Sequence, residues 1–359
     1  MRKLIRTAVG FVCYYLGLTR FLLFITELVT GDATLVAFVY HRVTDRSNGD
    51  VGYLIYDVGI DYRSFDVQVA AIKRHFRIAG LSEYIDCVSG RKQPDRRTAL
   101  LTFDDADFEF IKYALPVLAK HHCESVVFAP TDFIGTDKRF WHLRVTNLTR
   151  NIDSDGWARL QGLAGQFKEQ IAQVIRQSSV ADEDRRGETC RALAHALDQM
   201  DAEEVDSIVT KLEQIVAAKY TLGVSCMSWV QLAQIAEQGV AIESHTVTHR
   251  KLAWLDEQTI RSELFESKRL LEQKLGNTVT AICYPAGSFN DTVVAAAREA
   301  GYQAGFTTMP GLGAFALPVD ERFRLRRVSM YGDSKYEADF HLAKMMLKRI
   351  FFGKAWNRD

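Results

Sequence analysis

At 359 residues the chain is too long for one small core and suits an α/β domain of barrel size with additions. Apolar residues at 47% and charged residues at 25% exclude a disordered or fibrous chain, and a formal net charge of zero offers nucleic acid or another polyanion no basic partner. Six cysteines, at positions 13, 87, 123, 190, 226 and 283, form no Cys-x-x-Cys pair; they read as small core residues in a reducing compartment, although their even number leaves disulfides open.

The first segment, residues 1–34, begins with Arg2, Lys3 and Arg6 and then runs apolar on both sides of Arg20. A spanning helix wants about 20 uninterrupted apolar residues, and an arginine near its middle costs roughly 2.5 to 3.5 kcal/mol. Spanning is therefore disfavoured, and Thr26 to Thr30 lacks the small residues of a signal-peptide cleavage site. The expectation is an amphipathic helix, either lying on a membrane surface or packed on its own domain. The expected location is cytoplasmic or peripheral on the inner membrane, with a periplasmic anchored form left open.

Residues 35–340 carry the main domain. Leu35 to Val39 reads as a buried strand followed by Tyr40-His41-Arg42-Val43, Phe65 to His75 has helical spacing, and Arg77 to Ala79 reads as a strand. Ser82 is placed to cap a short helix through Val88, which Gly90 closes. Thr98 to Phe103 is a strand, Phe108 to Lys120 a helix carrying Pro116 at some cost, and Ser125 to Ala129 a second strand. This order argues for parallel pairing, in a barrel or an open sheet. From about 141 to 226 the strand signals stop. Charged helical sequence takes over, including Asp182 to Arg186 and Asp201 to Glu204, and reads as an inserted helical segment with solvated faces.

Ser228 to Gln231 is a capping box that opens a helix to Gln238, and Val240 to Ile242 is a strand. A helix from Asp256 to Leu275 follows, then a strand from Ala281 to Tyr284, a helix from Thr292 to Ala300 and a late strand from Arg322 to Met330. Residues 341–359 form an amphipathic basic tail, with Leu342, Met345, Met346, Ile350 and Phe351 among Lys344, Lys348, Arg349 and Lys354. That tail suits either core packing or a membrane face.

The chemistry concentrates at strand ends. The apolar run Ala99 to Phe103 stops in Asp104 and Asp105, and two adjacent acids turned into one cavity require a shared cation or proton. His245 and His249, at i and i+4, would lie on one side of a helical turn, the spacing of two-histidine zinc motifs; for the pair taken alone, structural histidines remain the alternative. Both groups follow apolar strands, as does Tyr284-Pro285, and the carboxyl ends of strands are where barrels keep their catalytic residues. Two imidazoles and one carboxylate make a three-ligand site with an open position, and the other carboxylate is left to act as base.

Thr102-Phe103-Asp104-Asp105, His245-Thr-Val-Thr-His249 and Tyr284-Pro285-Ala286-Gly287 resemble the first three motifs of the NodB-homology polysaccharide deacetylases, carbohydrate esterase family four. Supporting similarity runs from about Leu35 to Met330. The resemblance implies a distorted (β/α) barrel, here with a helical insertion, that removes N-acetyl and sometimes O-acetyl groups from poly- or oligosaccharides. It implies Asp104 as base, and Asp105, His245 and His249 as ligands of zinc or another divalent transition metal. Backbone around Tyr284 to Ala286 would donate to the oxyanion. Pro285, Gly287 and His41 are placed along the substrate, His41 having a core or neighbouring role as its alternative.

Three departures from the family pattern stand out. Ala106 replaces the glycine usual after the two aspartates, and Cys283 occupies the place of an arginine that pairs with the base. Arg326 or Arg327 is the candidate replacement for that arginine, with a plain surface role as the alternative. The late histidine that often serves as acid has no match, since His341 stands in a different context. Two other readings are a hydrolase of a small non-peptide amide and a catalytically silent glycan-binding or assembly protein. The expected partners are an N-acetylated saccharide and, at most, a membrane surface; no nucleic acid is expected, and nothing in the sequence specifies an oligomeric state.

Overall fold

The computed structural model describes residues 2–30, 34–48, 59–94, 97–217 and 226–352. Residues 31–33 of the first segment, the end of the insertion from 218 to 225, and Lys354 in the tail lie outside these residues. The chain divides into two compact units: Met1–Thr44, Ile60–Gly135 and Cys226–Asp359 form one, and Asp45–Gly59 with Thr136–Ser225 the other.

Ten strands run in chain order: β1 (Leu35–Tyr40), β2 (Arg42–Thr44), β3 (Gly59–Asp61), β4 (Arg77–Ile78), β5 (Thr98–Phe103), β6 (Ser125–Ala129), β7 (Val240–Ser244), β8 (Ala281–Cys283), β9 (Ala304–Pro310) and β10 (Leu325–Ser329). Seven close into a parallel ring, β1-β10-β9-β8-β7-β6-β5, with β5 returning to β1 from Leu35 opposite Thr98 to Tyr40 opposite Phe103. The two-residue β4 lies along the start of β5, and β2 pairs with β3 separately. The ring is irregular at β9 and β10, where Leu325 faces Phe306 but Arg327 faces Pro310. This is the expected distorted barrel. β9 was not expected, because Gly305 and Pro310 interrupt its apolar pattern.

Successive side chains alternate between the barrel interior and the outside. Leu35 and Ala37, Leu100, Val126 and Phe128, Ala281 and Cys283, Ala304 and Phe306, and Leu325 share one buried cluster. Tyr84, Ile85 and Val88 from the helix Leu81–Val88 join it. That helix starts one residue before Ser82, so the expected cap is wrong: Gly80 is the N-cap, and a Cβ there would lie 2.8 Å from the Glu124 carboxylate. Pro116 costs less than expected. A π-helical turn, Phe110–Ala114, hands over to the helix Leu115–His121, and the proline falls in its first turn, where no N–H is needed.

The amino-terminal segment is two helices, Arg2–Leu16 and Leu18–Thr30, divided at Gly17 with φ 67. One side of them packs on the helix Lys335–Phe352, which begins six residues before the expected tail. Thr19 Oγ1 donates to Asp339 Oδ2 at 2.7 Å, and Asp339 Oδ1 lies 2.6 Å from His75 Nε2. Glu27 pairs with Arg97 at 2.7 Å. Among the described residues all six cysteines are free, and five of them are buried.

The second unit holds the helices Trp141–Asn151, Ser154–Gly162, Glu169–Gln177, Glu183–Leu197 and Ala202–Val216. They enclose their own core of Val145, Leu148, Trp157, Ile171, Leu193 and Val209 among others. Its acidic runs do local work: Asp182 and Asp201 cap helices by accepting from Arg185 N and Glu204 N.

Candidate active site

β5 delivers both carboxylates. Its inward residues Leu100 and Thr102 are followed by Asp104, so alternation carries that side chain to the carboxyl end of the barrel, whereas Asp105 on a continued strand would point away. Asp105 takes φ 72 and Ala106 φ 50, and this left-handed turn brings the second carboxylate back. The turn made by glycine elsewhere is therefore kept by an alanine, at about 1 to 2 kcal/mol. Cys226 Sγ donates to Asp105 O at 3.2 Å and Met227 N to Ala106 O at 2.9 Å, pinning it.

Arg327, inward on β10, holds Asp104. Its Nη1 and Nη2 donate to Oδ1 and Oδ2, each at 2.7 Å, in a bidentate pair with both side chains buried. It also donates to Thr102 Oγ1 at 3.1 Å, Cys283 Sγ at 3.0 Å and Thr307 O at 2.9 Å. Arg327 thus meets Asp104, while Arg326 donates to Pro310 O. Burial alone would raise the Asp104 carboxyl, but the guanidinium outweighs it and holds the group below the usual carboxylate range. Burial pushes the Cys283 thiol up, and its Sγ lies 3.6 Å from Asp104 Oδ2. His41, just past β1, places Nε2 3.7 Å from the same oxygen with 30% of its side chain exposed, so it borders the pocket.

The histidines do not stand on a helical turn, contrary to expectation. They flank a loop after β7 in which Thr246 and His249 have φ 67 and 58. The i, i+4 spacing brings their rings together, with centroids 4.8 Å apart, through these two left-handed residues instead of helical pitch. Glu263, buried on the helix Glu257–Leu275, holds the loop. Its Oε2 accepts from Val247 N at 2.8 Å and Thr248 N at 2.9 Å, and Thr248 Oγ1 donates to Oε1. Thr131 N and Asp132 N, after β6, donate to Thr246 O and Val247 O. Sequence reasoning missed Glu263; a lone acid on the apolar face of that helix was the available signal.

His245 Nδ1 lies 2.7 Å from Cys283 O, and a carbonyl only accepts, so Nδ1 carries the proton and Nε2 turns toward Asp105. Asp105 Oδ1 sits 3.5 Å from His245 Nε2 and 3.2 Å from His249 Nε2. That oxygen is buried and has no hydrogen-bond partner among the described residues. Burial would raise the Asp105 carboxyl, yet the imidazoles hold it well below its usual range. Burial lowers His249 and would lower His245, but Cys283 and Asp105 carry His245 well above its usual value. The three groups thus ask for positive charge between them. A proton serves one pair, whereas a divalent cation serves all three donors, which lie within 4.8 Å of one another. The trio Asp104, His245 and Cys283 is equally close but fits worse: its carboxylate is spent on Arg327 and burial favours its neutral thiol.

The donor role expected of Tyr284 to Ala286 narrows. Tyr284 N donates to Phe306 O at 3.0 Å and Pro285 has no N–H, which leaves Ala286, at φ 53. The Tyr284 ring is buried against Phe289 and cannot reach substrate. Pro285 is buried too. Gly287 shapes the loop: at φ 66, a Cβ would fall 2.0 Å from Thr308 Oγ1. His341 packs on Tyr331 and is lowered to about 4 by burial.

A closed parallel barrel that brings an Asp-Asp turn and a two-histidine loop together at its carboxyl end defines a (β/α) barrel of the deacetylase type. The family model "Polysaccharide deacetylase" matches residues 187–305, which include His245, His249 and Tyr284 to Gly287 but not Asp104 and Asp105. The Bacillus subtilis (strain 168) protein named "Putative polysaccharide deacetylase YxkH" is 41% identical over 81 residues, 23% of this chain and 29% of that protein. The matched stretch therefore spans under a third of that relative. Among solved structures, Streptococcus pyogenes deacetylase PplD in complex with acetate superposes at a TM-score of 0.54 with 16% identity, over 88% of this chain and 99% of that one. IcaB from Ammonifex degensii gives 0.53 and 17%, over 87% and 97%. Residues 187–305 thus match the polysaccharide deacetylase family model, and the chain shares its barrel fold with these solved deacetylase structures.

Proposed function

We propose that the protein is a metal-dependent hydrolase that removes N-acetyl groups from a poly- or oligosaccharide. The observation that carries this reading is the convergence of Asp104, Asp105, His245 and His249 at one barrel end, with a buried, unpartnered Asp105 oxygen facing two imidazole nitrogens. Asp105, His245 and His249 would hold the cation, and their mixed N and O donors suit zinc. When bound, it supplies a positive charge that acidifies a water and polarises the amide carbonyl. Arg327 keeps Asp104 ionised and oriented, so the carboxylate takes the proton from the attacking water. The Ala286 N–H is the backbone donor for the oxygen that becomes negative. His41, beside Asp104 and partly exposed, is the imidazole placed to return a proton to the leaving amine.

A saccharide is favoured over a small amide by Trp254. It is 53% exposed on the turn Leu252–Trp254, which Ala253 N ties to Ser288 just past Gly287. Lys251 covers one face of the indole, and an open aromatic ring suits a sugar. The test is acetate release from a panel of acetylated glycans, with and without chelator, beside metal content. Asp104→Asn should abolish turnover with metal still bound, whereas His249→Ala should lose the metal. Acetate release that survives both chelation and Asp104→Asn would refute the reading.

A further inference from the structure

We infer that the two amino-terminal helices form a docking face for an anionic lipid bilayer, on which the protein rests without spanning it. In Leu18–Thr30 the buried positions are Leu22, Leu23, Thr19 and Thr26, all on the side of the helix Lys335–Phe352. At helical pitch the opposite side carries Phe21, Phe24 and Leu28, each more than half exposed, where a water-facing helix puts its charges. In Arg2–Leu16, Cys13 and Gly10 face inward, with a Gly10 Cβ lying 2.1 Å from Tyr336 O, while Phe11 and Tyr15 are exposed. Aromatic and leucine side chains on an outward face are those that settle at a lipid interface.

Charge selects the occupant. The two helices contain Arg2, Lys3, Arg6 and Arg20 against one acid, Glu27, and Glu27 is already paired with Arg97. Lys344 and Lys348 are exposed on the helix behind them. A second copy of the chain seated on this face would bring like charges together, whereas an anionic headgroup layer complements them. No single helix among the described residues is long and apolar enough to span a membrane; Val9–Leu16 and Leu18–Val29 together have the length and composition of a span, but they are bent by 70° at their break. Two short helices joined by that bend lie in the plane of an interface more readily than through it.

The test uses the full chain and sedimentation with vesicles of phosphatidylcholine, alone or mixed with phosphatidylglycerol. Binding to the anionic vesicles should exceed binding to the neutral ones and weaken with salt. The triple variant Phe21→Ser, Phe24→Ser, Leu28→Ser should bind about tenfold or more weakly. Its exposed positions leave the thermal melt unchanged. Phe24→Trp keeps the face apolar, and its added emission should shift to the blue on anionic vesicles. Absence of vesicle binding would overturn the inference, whether the chain then runs as a monomer or as a dimer that the triple variant dissolves. Equal binding by the triple variant, or no shift in Phe24→Trp emission, would overturn it as well.

Discussion

Replacing Glu263 with alanine should loosen the proposed metal site without touching any of its three proposed ligands. The wild-type carboxylate satisfies two backbone N–H groups, of Val247 and Thr248, and the Thr248 hydroxyl, all between the two histidines. Leaving a buried donor without its acceptor costs about 1 to 3 kcal/mol, and two are stranded here. The same loop carries left-handed backbone at Thr246 and His249, each a further cost of about 1 to 2 kcal/mol that the carboxylate offsets. Without it the loop relaxes and the His249 ring leaves Asp105. Calorimetric titration of zinc into the chelated protein should then show affinity about 10- to 100-fold weaker, the usual effect of losing a group that orients a ligand. Glu263→Gln should stay within a few fold. Its amide oxygen accepts from the two N–H groups, and the Thr248 hydroxyl can turn to accept from the amide. Unchanged affinity in Glu263→Ala would refute the reasoning, and an equal loss in Glu263→Gln would show that charge, not loop geometry, was the cause.

Two further changes test the β5 turn and its partner. Arg327→Met leaves Asp104 buried and unpaired, which should cost about 3 to 5 kcal/mol in urea unfolding. In the wild type the Asp104 carboxyl is held below its unfolded value, so its share of stability is present above the usual carboxylate range and lost as pH falls. With the guanidinium, the largest opposing charge, removed, the variant's carboxyl rises, and the acid limb of its kcat/KM profile should move to higher pH; an unmoved limb would exclude Asp104 as the base. Ala106→Gly relieves a left-handed alanine, partly offset by greater freedom of the unfolded chain, and should raise stability by about 0.5 to 1 kcal/mol in thermal unfolding. A loss of stability there would mean that the buried Ala106 methyl group packs more favourably than its backbone is strained.

The parts of the site legible in the sequence are those fixed by a strand's own alternation. An apolar run ending in two acids states where both carboxylates emerge, and an apolar run ending at Ser244 does the same for the histidines. What lay outside local pattern was everything set by contacts between distant segments. The histidine loop is held by Glu263 and by Thr131 and Asp132, none of which is near it in sequence, so a helical turn was the reasonable but wrong local reading. β9 was hidden because its outer half is exposed and its sequence holds Gly305 and Pro310, yet the ring cannot close without it. Gly305 is there for a nonlocal reason, since a Cβ would meet the Tyr284 hydroxyl at 2.4 Å.

The pairing of Arg327 with Asp104 shows how a closed barrel lets a strand distant in sequence supply a buried charge. Cys283 on β8 and Arg327 on β10 both face the interior, and the site needs one guanidinium against Asp104, whichever strand supplies it. With a small thiol on β8, the room beside Asp104 lets the longer side chain enter from β10, and the sulfur accepts the donor left over from the bidentate pair. The cost of burying that arginine is met by Asp104, Thr102, Thr307 and Cys283 together, four acceptors brought to one point only because β10 and β5 both border β1. Closure of the ring is thus what brings Arg327 to Asp104. An open sheet would keep the last strand away from β5, and Asp104, with only the Cys283 thiol beside it on β8, would be buried without its guanidinium.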